Sequence, residues 1–266
     1  MKTIYLRLGL LLGGLVFLGS CIPNKKITLL QKGDVNVKNL PKDSVMRTYA
    51  VDSFSYKIQA SDILSVRFES LTQKEFDIFA TKNMQTAGLG GTTANTLLLG
   101  ELVDNKGEIP FPVIGKVKVS GLTVFEIQDK LQKLADQYLE SPLVKVRLIN
   151  YRATFLGEVK AEGTFVFDNH RVNLVEAIGR SGGFSDLADR SNVKLIRQRE
   201  GKTEVVYLNL LQEGFITSPY YYVYQNDVII VPALKQRPFR KYFGENLALI
   251  VTSISLIFLT INLTKN

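Results

Sequence analysis

The sequence predicts an α+β fold in which two mixed modules stand between two points of membrane attachment, and three features of the chain predict it. Short alternating apolar segments recur between turn residues from residue 54 to residue 232. A capped amphipathic stretch at residues 123–139 and a shorter helical stretch at residues 173–180 interrupt them. Both ends of the chain carry apolar runs beside basic residues.

At the start, Lys2 and Arg7 precede an apolar run over residues 8–18 that closes on Gly19 and Ser20. That order is a secretory signal peptide, assigned to residues 1–20. Cys21 follows as the one cysteine of the chain, so Leu18-Gly19-Ser20-Cys21 reads as a lipobox with Cys21 as the site of lipidation. Each buried acyl methylene contributes about 0.8 kcal/mol, so several chains together anchor firmly. A spacer cysteine beside an ordinary cleavage site, or an uncleaved anchor, is the alternative. Ile22, where an inner-membrane protein would carry aspartate, favours the outer membrane by resemblance to bacterial sorting rules. Residues 21–52 are polar, hold Lys25, Lys26, Lys32, Lys38 and Lys42, and lack sustained periodicity, so they read as a tether.

The first module is expected over residues 53–150. Tyr56, Ile58 and then Ile63, Leu64, Val66 and Phe68 predict two strands about a turn at Ala60-Ser61-Asp62. Residues 102–112 predict a hairpin turning at Asn105, Lys106 and Gly107, and residues 113–119 continue extended. Thr123 then caps a helix running to about Leu139, with Val124, Ile127, Leu131 and Leu134 on one face. Pro142 ends it before the alternating strand Val144-Lys145-Val146-Arg147-Leu148.

The second module is expected over residues 151–235. Gly157 and Gly163 flank a hairpin, a helix over residues 173–180 ends in a left-handed turn at Gly182-Gly183, and strands follow near residues 193–197 and 228–231. Asp227 is expected to order the turn before its strand.

Residues 247–263 contain no charged residue and follow Arg237, Arg240 and Lys241. Seventeen residues of helix reach roughly 25 Å, the short end for a membrane span, and residues 245–264 are assigned as a C-terminal transmembrane helix. Ala248, Thr252, Ser255, Leu259 and Asn262 fall on one face. Small and hydroxyl side chains there admit neighbouring helices or line a wet interior, yet hydroxyls also bond their own helix carbonyls, so anchor and pore both stay open.

In order, YKIQASDILSVRF, VDNKGEIPFPVIGKVKVSGLTVFEIQDKL and SPLVKVRL resemble the export domain of Wza-type outer-membrane polysaccharide-export (OPX) lipoproteins. The succession from Thr154 to Pro232 is similar to an SLBB domain, a β-grasp-like ligand-binding module. Where the family has Pro-Gly-Asp this chain has Ala60-Ser61-Asp62, so a different backbone twist is expected. The resemblance implies a homo-oligomeric, octameric ring in the outer membrane, its body in the periplasm. It implies capsular or exopolysaccharide as substrate and an inner-membrane polysaccharide co-polymerase as partner.

The formal charge of +8 falls to +6 once Lys2 and Arg7 leave with the signal, a balance suited to an acidic polymer or lipid headgroups. No nucleic-acid partner is expected of an exported chain without a recognised binding motif. The sole histidine, His170, sits in a polar turn and reads as solvated, so no metal site forms around it. Glu200 and Glu204 lie beside Lys202 in an expected hairpin and read as a solvated surface. No catalytic constellation or phosphate-cradling loop supports an enzyme or a cofactor.

Overall fold

The computed structural model describes residues 24–34, 43–50, 54–71, 100–112, 114–199, 201–235, 247–248 and 250–257. The signal peptide and Cys21 lie outside the described residues.

The first half contains β1 (Ile63–Glu69), β2 (Glu101–Leu102), β3 (Glu108–Phe111), β4 (Gly115–Lys118), helix α1 (Val124–Ala135) and β5 (Leu143–Leu148). Residues 54–58 are extended and bury Tyr56 and Ile58, but they join no ladder. Ile58 instead donates to the Leu122 carbonyl and accepts from the Gly121 N–H, so this segment pairs with a turn. Ser61 takes φ 72°, the left-handed conformation that a Pro-Gly turn gives to glycine.

β1 lies between β2 and β5 in an antiparallel sheet. The hairpin expected over residues 102–112 is divided. Its turn forms, with Gly107 N–H donating to the Asp104 carbonyl at 2.7 Å, but β2 joins β1 while β3 pairs with β4. Thr123 and Glu126 cap α1 reciprocally, each side chain accepting from the other's backbone N–H at 3.2 and 2.7 Å. Val124, Ile127, Leu131 and Ala135 form the buried face. The helix stops short of Leu139 because the N–H groups of Gln137 and Tyr138 bond carbonyls three residues back, tightening the last turn. α1 also covers the edge of β5. Gln132 accepts from Val144 N–H at 2.9 Å and Gln128 from Val146 N–H at 3.4 Å, satisfying donors that an open edge would expose.

The second half contains β6 (Arg152–Gly157), β7 (Gly163–Val166), α2 (Leu174–Arg180), β8 (Val193–Arg199), β9 (Lys202–Leu208) and β10 (Asp227–Val231). They make a five-stranded sheet of order β7-β6-β10-β8-β9, parallel between β6 and β10 and antiparallel elsewhere. Central β10 is apolar after Asp227, as a strand covered on both faces should be. Asn173 caps α2, and Gly182 and Gly183 leave it at φ 82° and 88°. One contiguous core runs through both halves, joined where the Tyr56 and Tyr151 rings meet edge to face at 5.2 Å.

Residues 247–248 and 250–257 are helical, with Leu247, Ile250, Val251, Ile254, Leu256 and Ile257 exposed. Among the described residues no helix is long and apolar enough to cross a membrane. The remainder of the stretch assigned as a span, Asn262 included, lies outside them.

Gly157 has φ 87°, and a Cβ added there would stand 2.2 Å from the Val231 carbonyl oxygen. Gly157→Ala is therefore expected to cost about 2–4 kcal/mol by combining strain with a backbone clash, read as a lowered thermal midpoint of the full chain in detergent.

Candidate functional site

The second half is organised about a charge pair withdrawn from water. Arg197 on β8 and Asp227 at the start of β10 are 4 % and 0 % exposed. Nε and Nη2 of Arg197 donate to the two carboxylate oxygens at 3.0 and 2.7 Å. Nη2 also reaches the Tyr222 carbonyl, and the Tyr224 N–H donates to Asp227 at 2.7 Å. The guanidinium lies over the ring of Tyr224 at 4.1 Å and within 5.5 Å of that of Tyr220. Asp227 thus orders the turn before its strand, as the sequence predicts. The arginine partner is the feature that sequence reasoning missed, although a cation at an inward position of an alternating strand was a signal for it.

This pair fixes residues 220–226 against the junction of the halves. Gln225 Nε2 donates to the Asn150 carbonyl at 2.9 Å and to Asp62 at 3.4 Å, while its Oε1 accepts from Arg152 N–H. Asp62 is 1 % exposed and accepts from the Tyr56 hydroxyl and the Gln59 N–H, both at 2.9 Å. Burial without a cationic partner pushes its carboxyl from 3.8 up to about 6. The same segment walls a cleft of about 340 Å³ lined by Phe54, Arg199, Pro219, Tyr221, Tyr222 and Tyr224. Phe54 stacks on Tyr222 at 4.9 Å and meets Tyr224 edge-on. Aromatic walls with a few polar groups suit an amphipathic ligand.

The stretch read as a tether is partly docked. Leu30 and Gln31 N–H groups bond the carbonyls of Leu210 and Leu211, and Glu213 N–H returns to Gln31. Arg47 bridges Glu213 at 2.6 Å and Asp34 at 2.5 Å, and Tyr49 donates to Glu213. Arg190 Nη1 donates to the Ile27 carbonyl. The chain leaving β10 clasps the same loop: Asp189 N–H bonds the Pro232 carbonyl, Leu234 N–H bonds that of Leu187, and Ala188 bridges Ala233. Ile27 and residues 232–234 therefore meet at residues 187–190.

Of the remaining sequence-predicted sites, Ala248, Thr252 and Ser255 lie on helical residues, where Thr252 and Ser255 donate to the carbonyls of Ala248 and Val251. His170 is half-buried rather than solvated. It lines a hollow of about 400 Å³ with Phe125, Arg147 and Val166, and desolvation lowers its pKa. Among the described residues no group of His, Cys, Asp and Glu could hold a metal ion. Glu204 is exposed on β9, and Glu200 lies outside the described residues.

Two outcomes follow for this network. Arg197→Met strands Asp227 without its partner and is expected to cost about 3–5 kcal/mol in urea unfolding, far more than a surface substitution. Asp62 has a folded pKa of about 6, above its ordinary 3.8, so its protonated form favours the fold. That stability is fully present below the ordinary value and is lost as pH rises through about 6. Thermal midpoints of Asp62→Asn should lack this fall between the two values while wild type shows it.

A family model of polysaccharide biosynthesis/export proteins matches residues 50–149, and an SLBB domain model matches residues 152–231. The chain is 31 % identical over 146 residues to the EPS I polysaccharide export outer membrane protein EpsA of Ralstonia nicotianae, covering 53 % of this chain and 38 % of that protein. The EpsA of Ralstonia solanacearum is 29 % identical over 146 residues, covering 53 % of this chain and 39 % of that one. The chain thus spans less than half the length of these curated relatives. The chain thus carries, in that order, one region that matches polysaccharide biosynthesis/export proteins and one that matches a single SLBB domain, the pair that the sequence resemblance led us to expect.

Proposed function

We propose that this chain is a lipid-anchored outer-membrane subunit that carries capsular or exopolysaccharide out of the cell and performs no chemistry on it. The observation that supports this reading best is the meeting at residues 187–190 of Ile27, six residues after Cys21, with residues 232–234, which precede the C-terminal apolar run, as suits a body hung from one lipid sheet at one end. Diacylglycerol on Cys21 and a helix over residues 245–264 would supply the two attachments. The export domain, residues 53–150, would then stand farther into the periplasm than the β-grasp-like SLBB domain, residues 151–235. Head-to-tail contact would close copies into a ring, eight by resemblance, docked on an inner-membrane co-polymerase. The C-terminal helices would gather about the passage with Ala248, Thr252, Ser255 and Asn262 toward neighbours or lumen.

A second reading, a glycan- or partner-binding scaffold whose helix only anchors, is favoured by Thr252 and Ser255 spending their hydroxyls on their own helix. Conductance separates the two. Purified oligomers are expected to open wide channels in planar bilayers, and silence at every oligomer size rejects the translocon. Labelled palmitate should enter wild type and not Cys21→Ser. A chain that also ends at residue 246 should be released by carbonate, whereas the intact form resists.

A further inference from the structure

Resting on that reading of where the membrane lies, we propose that the face around Arg190 is a docking surface for the phosphates of anionic phospholipid headgroups.

Four observations carry this. The chain over residues 22–33 holds Lys25, Lys26 and Lys32 and no acidic residue, and residues 232–244 hold Lys235, Arg237, Arg240 and Lys241 and no acidic residue. These seven cations are bounded by Asp34, which pairs with Lys32 at 3.8 Å, and by Glu245, so the stretches stay net basic in a chain of 33 basic and 25 acidic residues. The fold brings the inner ends of these two stretches onto one loop, through Ile27 on Arg190 and through Pro232, Ala233 and Leu234 on residues 187–189. Lys25, Lys26 and Lys235 there are exposed.

Arg190 supplies the built element. Its guanidinium is held over the Phe184 ring at 4.9 Å and by the Ile27 carbonyl. Its Nε is buried with no hydrogen-bond partner among the described residues, so the group faces outward only through the rest of the guanidinium, and Arg190 as a whole stays partly exposed. The acids nearby do not cancel the surface. Asp186 and Asp189, the latter hydrogen-bonded to Ser191 and Asn192 and beside Lys26, set two carboxylates against the four cations Lys25, Lys26, Lys235 and Arg190. Juxtamembrane cations of this kind are attracted to anionic leaflets within a Debye length of the surface. An acidic glycan would be served better by cations around the aromatic cleft than by cations beside the membrane attachments.

The test uses the full chain reconstituted into phosphatidylcholine vesicles with or without about a third phosphatidylglycerol. Phosphatidylglycerol is expected to raise the thermal midpoint by about 3 °C or more. That shift should vanish in about 0.5 M salt, where screening is short-ranged. Lys25→Gln/Lys26→Gln/Lys235→Gln, all exposed, should lose most of the shift with an unchanged midpoint in phosphatidylcholine. Arg190→Gln, which also loses its bond to Ile27, is read by the difference between the two lipids and not by its midpoint alone. Equal midpoints in both lipids, or an undiminished shift in the triple variant, overturn the proposal. So does an equal shift in phosphatidylcholine on adding inorganic phosphate or a polyuronate, which would assign the face to a free anion or to an acidic glycan. A chain that fails to float with either vesicle instead rejects the membrane reading on which the proposal rests.

Discussion

The guanidinium of Arg197 and the carboxylate of Asp227 sit where water cannot reach them, so each lone pair and each N–H must find its partner in the protein. Meeting that demand fixes far more than two side chains. The third acceptor for Arg197 is the backbone of Tyr222, the third donor to Asp227 is the backbone of Tyr224, and two tyrosine rings close over the guanidinium. Residues 220–226 are thereby held in one conformation across the edges of both halves. A buried pair of this sort adds little net stability, but its geometry admits few alternatives. Here the geometry is what the cleft and the interdomain junction inherit.

From that segment the constraint passes into the first half. Gln225 has three polar partners, on Asp62, Asn150 and Arg152, which belong to two distant stretches of chain. Asp62 faces it with a tyrosine hydroxyl and a backbone N–H but no cation. The carboxyl is therefore satisfied by hydrogen bonds yet pays for desolvation, which is why it titrates high. Above and below this polar seam the Tyr56 and Tyr151 rings continue the apolar core without a break. The halves match separate domain models and nonetheless share one interior, so they are expected to move as a body rather than swing on a linker.

Much of the local structure was legible. The Thr123–Glu126 capping box, the alternation of β5, the glycine exits after α2 and the hairpin between β6 and β7 all depend on residues within a few positions of one another. The misreadings share the opposite property. Residues 54–58 look like a strand because their period is two, but their partner is the turn at residues 119–122. Residues 24–34 and 43–50 look like a linker because they have no period, but Arg47, Leu30 and Gln31 find partners on the far half of the chain. His170 lies in a polar tetrapeptide and is half covered by what packs beside it.

Sequence alone made most of the elements and their order legible, together with the resemblance of the two regions, because periodicity, caps and turn residues act over one or two turns of chain. It could also raise the expectation of membrane attachment at Cys21 and the terminal apolar run, since such signals are read as contiguous strings. Tertiary structure decided which distant groups meet: Arg197 with Asp227 across two strands, Gln225 with Asp62 across the junction, and Ile27 and residues 232–234 on residues 187–190. Those contacts follow from the order β7-β6-β10-β8-β9, which places the start of the module beside its end through the parallel pairing of β6 and β10. Hydrophobic pattern tells a strand which face to bury, whereas its neighbour is chosen by the whole set of strands competing for the same ladder.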